Sequence, residues 1–118
     1  MKKITALLAL SAAALATPAL AQFTGPGAQP AATSVKAILD NPVDDQRVVL
    51  RGKIVRQIKG DKYIFSDGKS EIRVEIDSHL FPAGTPVNAT TAVEISGEVE
   101  KDFMESPEID VDTLRIAP

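Results

Sequence analysis

The chain has 118 residues, a formal net charge of −3, one histidine and no cysteine. That size suits a single small domain, and the missing cysteine excludes disulfides, thiol catalysis, thiolate metal sites and a lipid-bearing cysteine. The acidic balance argues against nucleic acid as a partner, since that recognition gains affinity by releasing counterions from a basic surface.

The N-terminus reads as an export signal. Lys2 and Lys3 precede an apolar run rich in Leu and Ala over residues 4–16. Pro18 breaks the run before Ala19-Leu20-Ala21, a small-x-small cleavage site. The run falls short of the roughly 20 apolar residues that span a bilayer, and no later stretch is apolar enough to serve as a second membrane element. The expected product is a periplasmic chain starting at Gln22. The signal carries two lysines and no acid, so its loss takes the net charge from −3 to −5.

Residues 22–32 are rich in Gly, Pro and Ala and read as a flexible leader, leaving residues 33–118 as the domain. Thr33 or Ser34 is placed to cap a two-turn helix carrying Val35, Ile38 and Leu39 on one stripe, stopped at Asn41-Pro42. From Gln46 the apolar period changes to two. Val48, Leu50, Ile54 and Ile58 share the inner face of a long first strand, with Gly52 at the bend that a small barrel needs there. A turn at residues 59–61 leads to a second strand with Tyr63 and Phe65 inward. After Asp67-Gly68 comes a third, with Ile72, Val74 and Ile76 inward and Arg73, Glu75 and Asp77 outward.

Residues 78–91 carry two prolines and no period, which predicts a connection with room for one helical turn. In the fourth strand Val93, Ile95 and Val99 alternate with Glu94, Ser96, Glu98 and Glu100, and Gly97 lies on the inner side. In the fifth, Ile109 and Val111 alternate with Asp110 and Asp112. Leu114 and Ile116 have the opposite parity, which requires a bulge near Asp112-Thr113 or an exit from the sheet. Five strands with a long connection after the third is the pattern of an OB-fold, a mainly β, five-stranded Greek-key barrel. Closure would also hide strand edges that a disulfide-free exported chain must protect.

These residues resemble the bacterial OB-fold (BOF) family of periplasmic stress-tolerance proteins, the YgiW/YdeI group. Phe23-Thr24-Gly25-Pro26 resembles the family's leader, and Val49-Leu50-Arg51-Gly52-Lys53-Ile54 its first strand. Tyr63-Ile64-Phe65-Ser66-Asp67 and Val74-Glu75-Ile76-Asp77 are similar to the strands that follow. Val93 to Val99 and Glu108-Ile109-Asp110-Val111 complete the pattern. Phe81 and Phe103 stand where relatives often carry tryptophan, and the leader lacks the usual preceding glycines. The resemblance implies an OB-fold, a periplasmic address and stress tolerance through binding of small or cationic ligands, without enzyme activity or a cofactor.

The residues themselves offer one candidate face. Glu94, Glu98, Glu100, Asp110 and Asp112 all point outward from the last two strands. A hairpin centred near Glu105 would set Glu100 opposite Asp110 and Glu98 opposite Asp112. Like charges facing each other destabilise a sheet, so their retention suggests either a solvated face or a site that concentrates cations. No loop has the ligand spacing of an EF-hand, and His79 has no second imidazole or thiolate to complete a transition-metal site. Ser78-His79 is adjacency and not a dyad, since a nucleophile needs a base aimed at its hydroxyl. The small core leaves little room for a cleft, so an enzyme is not expected. The alternative is a protein- or glycan-interaction module, a signalling adaptor or peptidoglycan binder, using Lys59 and Lys62 at the strand 1–2 turn, Arg73 on the outer face of the third strand, and Phe103 and Met104 on the strand 4–5 loop.

Overall fold

A computed structural model describes residues 31–102 and 104–118. The expected signal peptide, most of the expected leader and Phe103 lie outside the described residues. The expected helix is α1 (Val35–Asp40), and five strands follow among the described residues: β1 (Arg47–Lys59), β2 (Lys62–Ser66), β3 (Glu71–Glu75), β4 (Val93–Glu100) and β5 (Glu108–Ile116). They close in the order β1-β2-β3-β5-β4 and back to β1. All neighbours are antiparallel except β3 and β5, which run parallel. This is the OB-fold barrel that the strand pattern predicts. No helix among the described residues is long and apolar enough to cross a membrane.

β1 serves both halves of the barrel. Its first half, residues 47–52, pairs with β4, and its second half, residues 53–59, pairs with β2. Gly52 sits at the change of partner. A Cβ built there would lie 2.0 Å from the Ser66 carbonyl oxygen and 2.9 Å from Asp67 Cα, so the strand coils tightly because that position has no side chain. Gly97 does the same for β4, where a Cβ would meet the Asp110 carbonyl at 2.1 Å.

The core follows the alternation. Val48, Leu50, Phe65, Val74, Val93, Ile95, Val99 and Ile109 are fully buried. Ser34 caps α1 by accepting from Ala37 N at 3.1 Å, and Val35 and Ile38 join the core while Leu39 stays exposed. The helix is too short to persist alone and is tied down from outside: Asp67 Oδ2, in the β2–β3 turn, accepts from Val35 N at 3.0 Å. Ala32, the last residue of the expected leader, is also held, bonding in parallel to Arg47 O and Val49 N.

Two positions depart from strict alternation, and one hairpin register differs from expectation. Ile58 is exposed, because bulges between Ile54/Arg56 and Gln57/Lys59 reset the parity of β1. Ser96, expected outward, is buried where its hydroxyl meets Thr113 Oγ1. The hairpin of β4 and β5 turns about Met104 rather than Glu105, so Glu100 faces Glu108 and Glu98 faces Asp110. The bulge foreseen near Asp112-Thr113 is present: Gly97 faces Val111 and Ser96 faces Thr113, leaving Asp112 as the extra residue.

Candidate functional site

The corrected register decides which carboxylates meet. At the far end of β4 and β5, Glu94 is held by two arginines, with Arg115 Nη2 at 2.7 Å and Arg51 Nε at 3.2 Å. The hydrogen bond from Arg115, joined by the one from Arg51, outweighs desolvation and holds the Glu94 carboxyl below its usual range. Asp112, pushed out by the bulge, pairs with Arg47 at 2.7 Å, and Glu98 approaches the same guanidinium at 3.9 Å. Three of the five expected site residues therefore already face internal cations.

Glu100 and Asp110 belong to the other end, where the barrel closes. There the parallel seam sets Arg73 beside Glu108 and Glu75 beside Asp110, while β4 supplies Glu100 opposite Glu108. Carboxylate oxygens of Glu75, Glu100 and Glu108 all lie within 4.8 Å of one another. Glu108 shares the outward parity of Asp110 and Asp112 yet is buried, because Lys62 and Arg73 cover it. Lys62 Nζ lies 2.7 and 2.9 Å from its two oxygens and 3.5 Å from Glu75. Arg73 Nε stands 3.3 Å from Glu108, and Arg73 Nη2 donates to Glu105 at 3.2 Å.

Charge is unevenly settled here. The Lys62 ammonium is held above its usual pKa, first by its hydrogen bond to Glu108. The Glu100 carboxyl is pushed up by desolvation and then by repulsion from Asp110, Glu108 and Glu75. Beside this cluster opens a bowl of about 470 Å³, bounded by the β4–β5 turn and the turn before β1. Asp44, Asp45, Glu100, Asp102, Glu105 and Glu108 line it against the two cations Arg73 and Lys101. The turn before β1 is fixed there by two bonds: Asp45 N donates to Val99 O at 2.8 Å, and Lys101 N donates to Asp44 Oδ1 at 3.0 Å.

An excess of carboxylates on a concave wall concentrates cations without a rigid coordination geometry. Of the alternative loop residues, Lys62 and Arg73 are committed to the Glu108 network, Lys59 and Met104 are exposed, and Phe103 lies outside the described residues. His79 is exposed in the middle of a short 3-10 turn, Ser78–Leu80. The acidic face read from sequence did not include Glu75, Glu108, Asp44 or Asp45. The signal for the first two was available, because a parallel β3–β5 seam in an OB-fold brings the end of β3 to the start of β5.

The chain matches the model of the Bacterial OB fold (BOF) protein family over residues 13–116. It belongs to that family. It is 46% identical over 96 residues to the calcium-regulated OB-fold protein CarO of Pseudomonas aeruginosa, covering 81% of this chain and 80% of CarO. It is 37% identical over 128 residues to the protein YgiW of Escherichia coli K12, covering 98% and 97% of the two chains. The solved structure of the hypothetical protein ygiW from E. coli superposes with a TM-score of 0.66 at 40% identity, over 80% of this chain and 97% of that one.

Proposed function

We propose that this BOF protein is an exported, non-enzymatic binding module of the periplasm that captures small cationic ligands in envelope stress. The observation that carries the reading is the convergence of Glu75, Glu100 and Glu108 beside an acidic bowl whose wall Glu100 and Glu108 share. Of the residues nominated from sequence, Glu100 belongs to this cluster, and Asp110 lies next to it, facing Glu75 across the β3–β5 seam. Glu94, Glu98 and Asp112 recede, because arginines already neutralise them. The name of the relative CarO, which calls that protein calcium-regulated, supports a cationic ligand class. Calcium takes six to eight oxygens, and three carboxylates supply at most six, so water would complete the shell.

The test is an amide chemical-shift titration with calcium chloride and, separately, with a short cationic peptide, at low and moderate salt. The reading expects salt-sensitive shifts at Glu75, Glu100, Lys101 and Glu108 that Glu100→Gln weakens and Glu94→Gln leaves alone. Shifts confined to Glu94 and Asp112, or none, overturn it. A second reading, a protein contact at the β4–β5 turn, is favoured by one observation: Met104 is 90% exposed. Met104→Ser separates the two, since it would abolish a protein contact and spare cation binding.

A further inference from the structure

Among the described residues, one edge of β1 has no neighbour over its second half. On the β4 side the ladder ends at Gly52 facing Val93, yet β1 runs seven residues further and pairs there only with β2. The chain leading into β4 does not continue the pairing. Its residues close a turn on themselves, with Asn88 Oδ1 accepting from Thr90 N and Thr91 N donating to Asn88 O, and Ala92 O accepts from Ala117 N beyond β5. Among the described residues no loop backbone bonds to residues 53–59. A groove of about 240 Å³ is left between this edge and residues 87–89, with Tyr63 and Phe81 on its wall. Their rings meet edge to face at 5.6 Å.

The charges of the strands single out the same edge. Eight cations are carried on strands; Arg47, Arg51, Lys62, Arg73 and Arg115 are each matched by a carboxylate. The other three, Lys53, Arg56 and Lys59, are exposed and in no ion pair among the described residues, and all three lie on the open stretch. Lysines on an edge deter pairing with copies that present the same charge. By the same electrostatics they admit a strand of opposite charge.

We propose that residues 53–59 dock an extended acidic peptide segment of a partner protein, added as a strand beside β1. Alternate backbone groups of β1 would supply the ladder, the three cations would select acidic side chains, and the groove at Tyr63 and Phe81 would receive the apolar ones. Seven residues of strand span about 23 Å at the usual rise. The site uses none of the residues that line the acidic bowl, so it stands or falls separately from cation capture.

The probe is an end-capped heptapeptide alternating Glu and Val, titrated into the purified protein and followed by amide shifts. Three comparisons accompany it: the same peptide with Lys for Glu, the same peptide N-methylated at every amide, and vesicles of phosphatidylglycerol. The proposal expects shifts over residues 53–59 and binding weakened at least tenfold by N-methylation, by the Lys peptide and by the pair Arg56→Glu with Lys59→Glu. Both residues are exposed, and an unchanged melting temperature confirms that the variant folds. Binding that survives N-methylation within twofold overturns strand addition, as do shifts elsewhere or an absence of binding at millimolar peptide. Vesicles that engage Lys53, Arg56 and Lys59 when the peptide does not would show that this edge reads lipid phosphates, and would overturn it equally.

Discussion

Replacing Gly52 by alanine adds one methyl group at the point where β1 changes partners. The new Cβ would start 2.0 Å from Ser66 O and 2.9 Å from both Ser66 C and Asp67 Cα. All three are backbone atoms, so no side chain can rotate away. Relief requires the end of β2 to retreat by more than 1 Å, which strains the Lys53↔Ser66 pairing and drags Asp67 from Val35 N. Overpacking of this kind costs about 1–3 kcal/mol, and the weakened bonds add about 1 kcal/mol each. The lower entropy of alanine in the unfolded chain returns about 0.4–1 kcal/mol. The net expectation is a loss of about 2–4 kcal/mol, or a fall in Tm on the order of 10–25 °C for a domain of this size. Thermal unfolding followed by circular dichroism measures it directly. A Tm within 2 °C of the parent would refute the claim that β1 coils because Gly52 has no side chain.

Three further outcomes are expected. Because the folded state raises the Glu100 pKa, its contribution to stability is present below the ordinary value of 4.5 and lost as pH rises through the raised one. Tm should therefore rise as pH falls through the raised pKa toward 4.5, and Glu100→Gln should flatten that slope; an equal slope in the variant would contradict the cluster's geometry. Asp67 answers in the opposite sense. Desolvation would raise it, but bonds from the Val35, Ser70 and Lys69 amides hold it below its usual value, so its stabilisation is lost only as pH falls through that lowered pKa. Asp67→Ala should cost about 2–3 kcal/mol in urea unfolding, by leaving the Val35 amide without its partner. Finally, Lys62 acts as an internal cation between Glu75 and Glu108. Under the proposed cation capture, Lys62→Gln should tighten calcium binding by roughly fivefold, about 1 kcal/mol, and calorimetry showing weaker or no binding would count against that site.

Alternation was enough to read the inward residues of the strands, because a strand places successive side chains on opposite faces and only one face of a barrel is dry. It failed at Ile58 and Ser96. Ile58 lies past one bulge and is the extra residue of a second, neither of which the sequence marks, and Ser96 is covered by Thr113 from the partner strand across a third. The acidic character of β4 and β5 was legible for the same reason, since Glu94, Glu98, Glu100, Asp110 and Asp112 are outward by parity. Their fate was not legible. A turn centred one residue earlier exchanged every facing pair on the hairpin, and parity carries no information about what lies across the ladder.

By itself the sequence determined the element order, a helix cap at Thr33 or Ser34, the coil at Gly52, the barrel class and the membership in the BOF family that its motifs resemble. Those features follow from local spacing and from residues that only one backbone geometry accommodates. Tertiary structure alone decided that Arg47, Arg51 and Arg115 neutralise one end of the acidic face, and that Glu75, Glu100 and Glu108 crowd together at the other. Among the described residues, it alone left one edge of residues 53–59 of β1 unpaired, the other edge being bonded to β2. Ion pairing and edge exposure depend on which strands lie side by side, and in a closed barrel that is set by register and by the parallel seam between β3 and β5, contacts made between residues far apart in the chain.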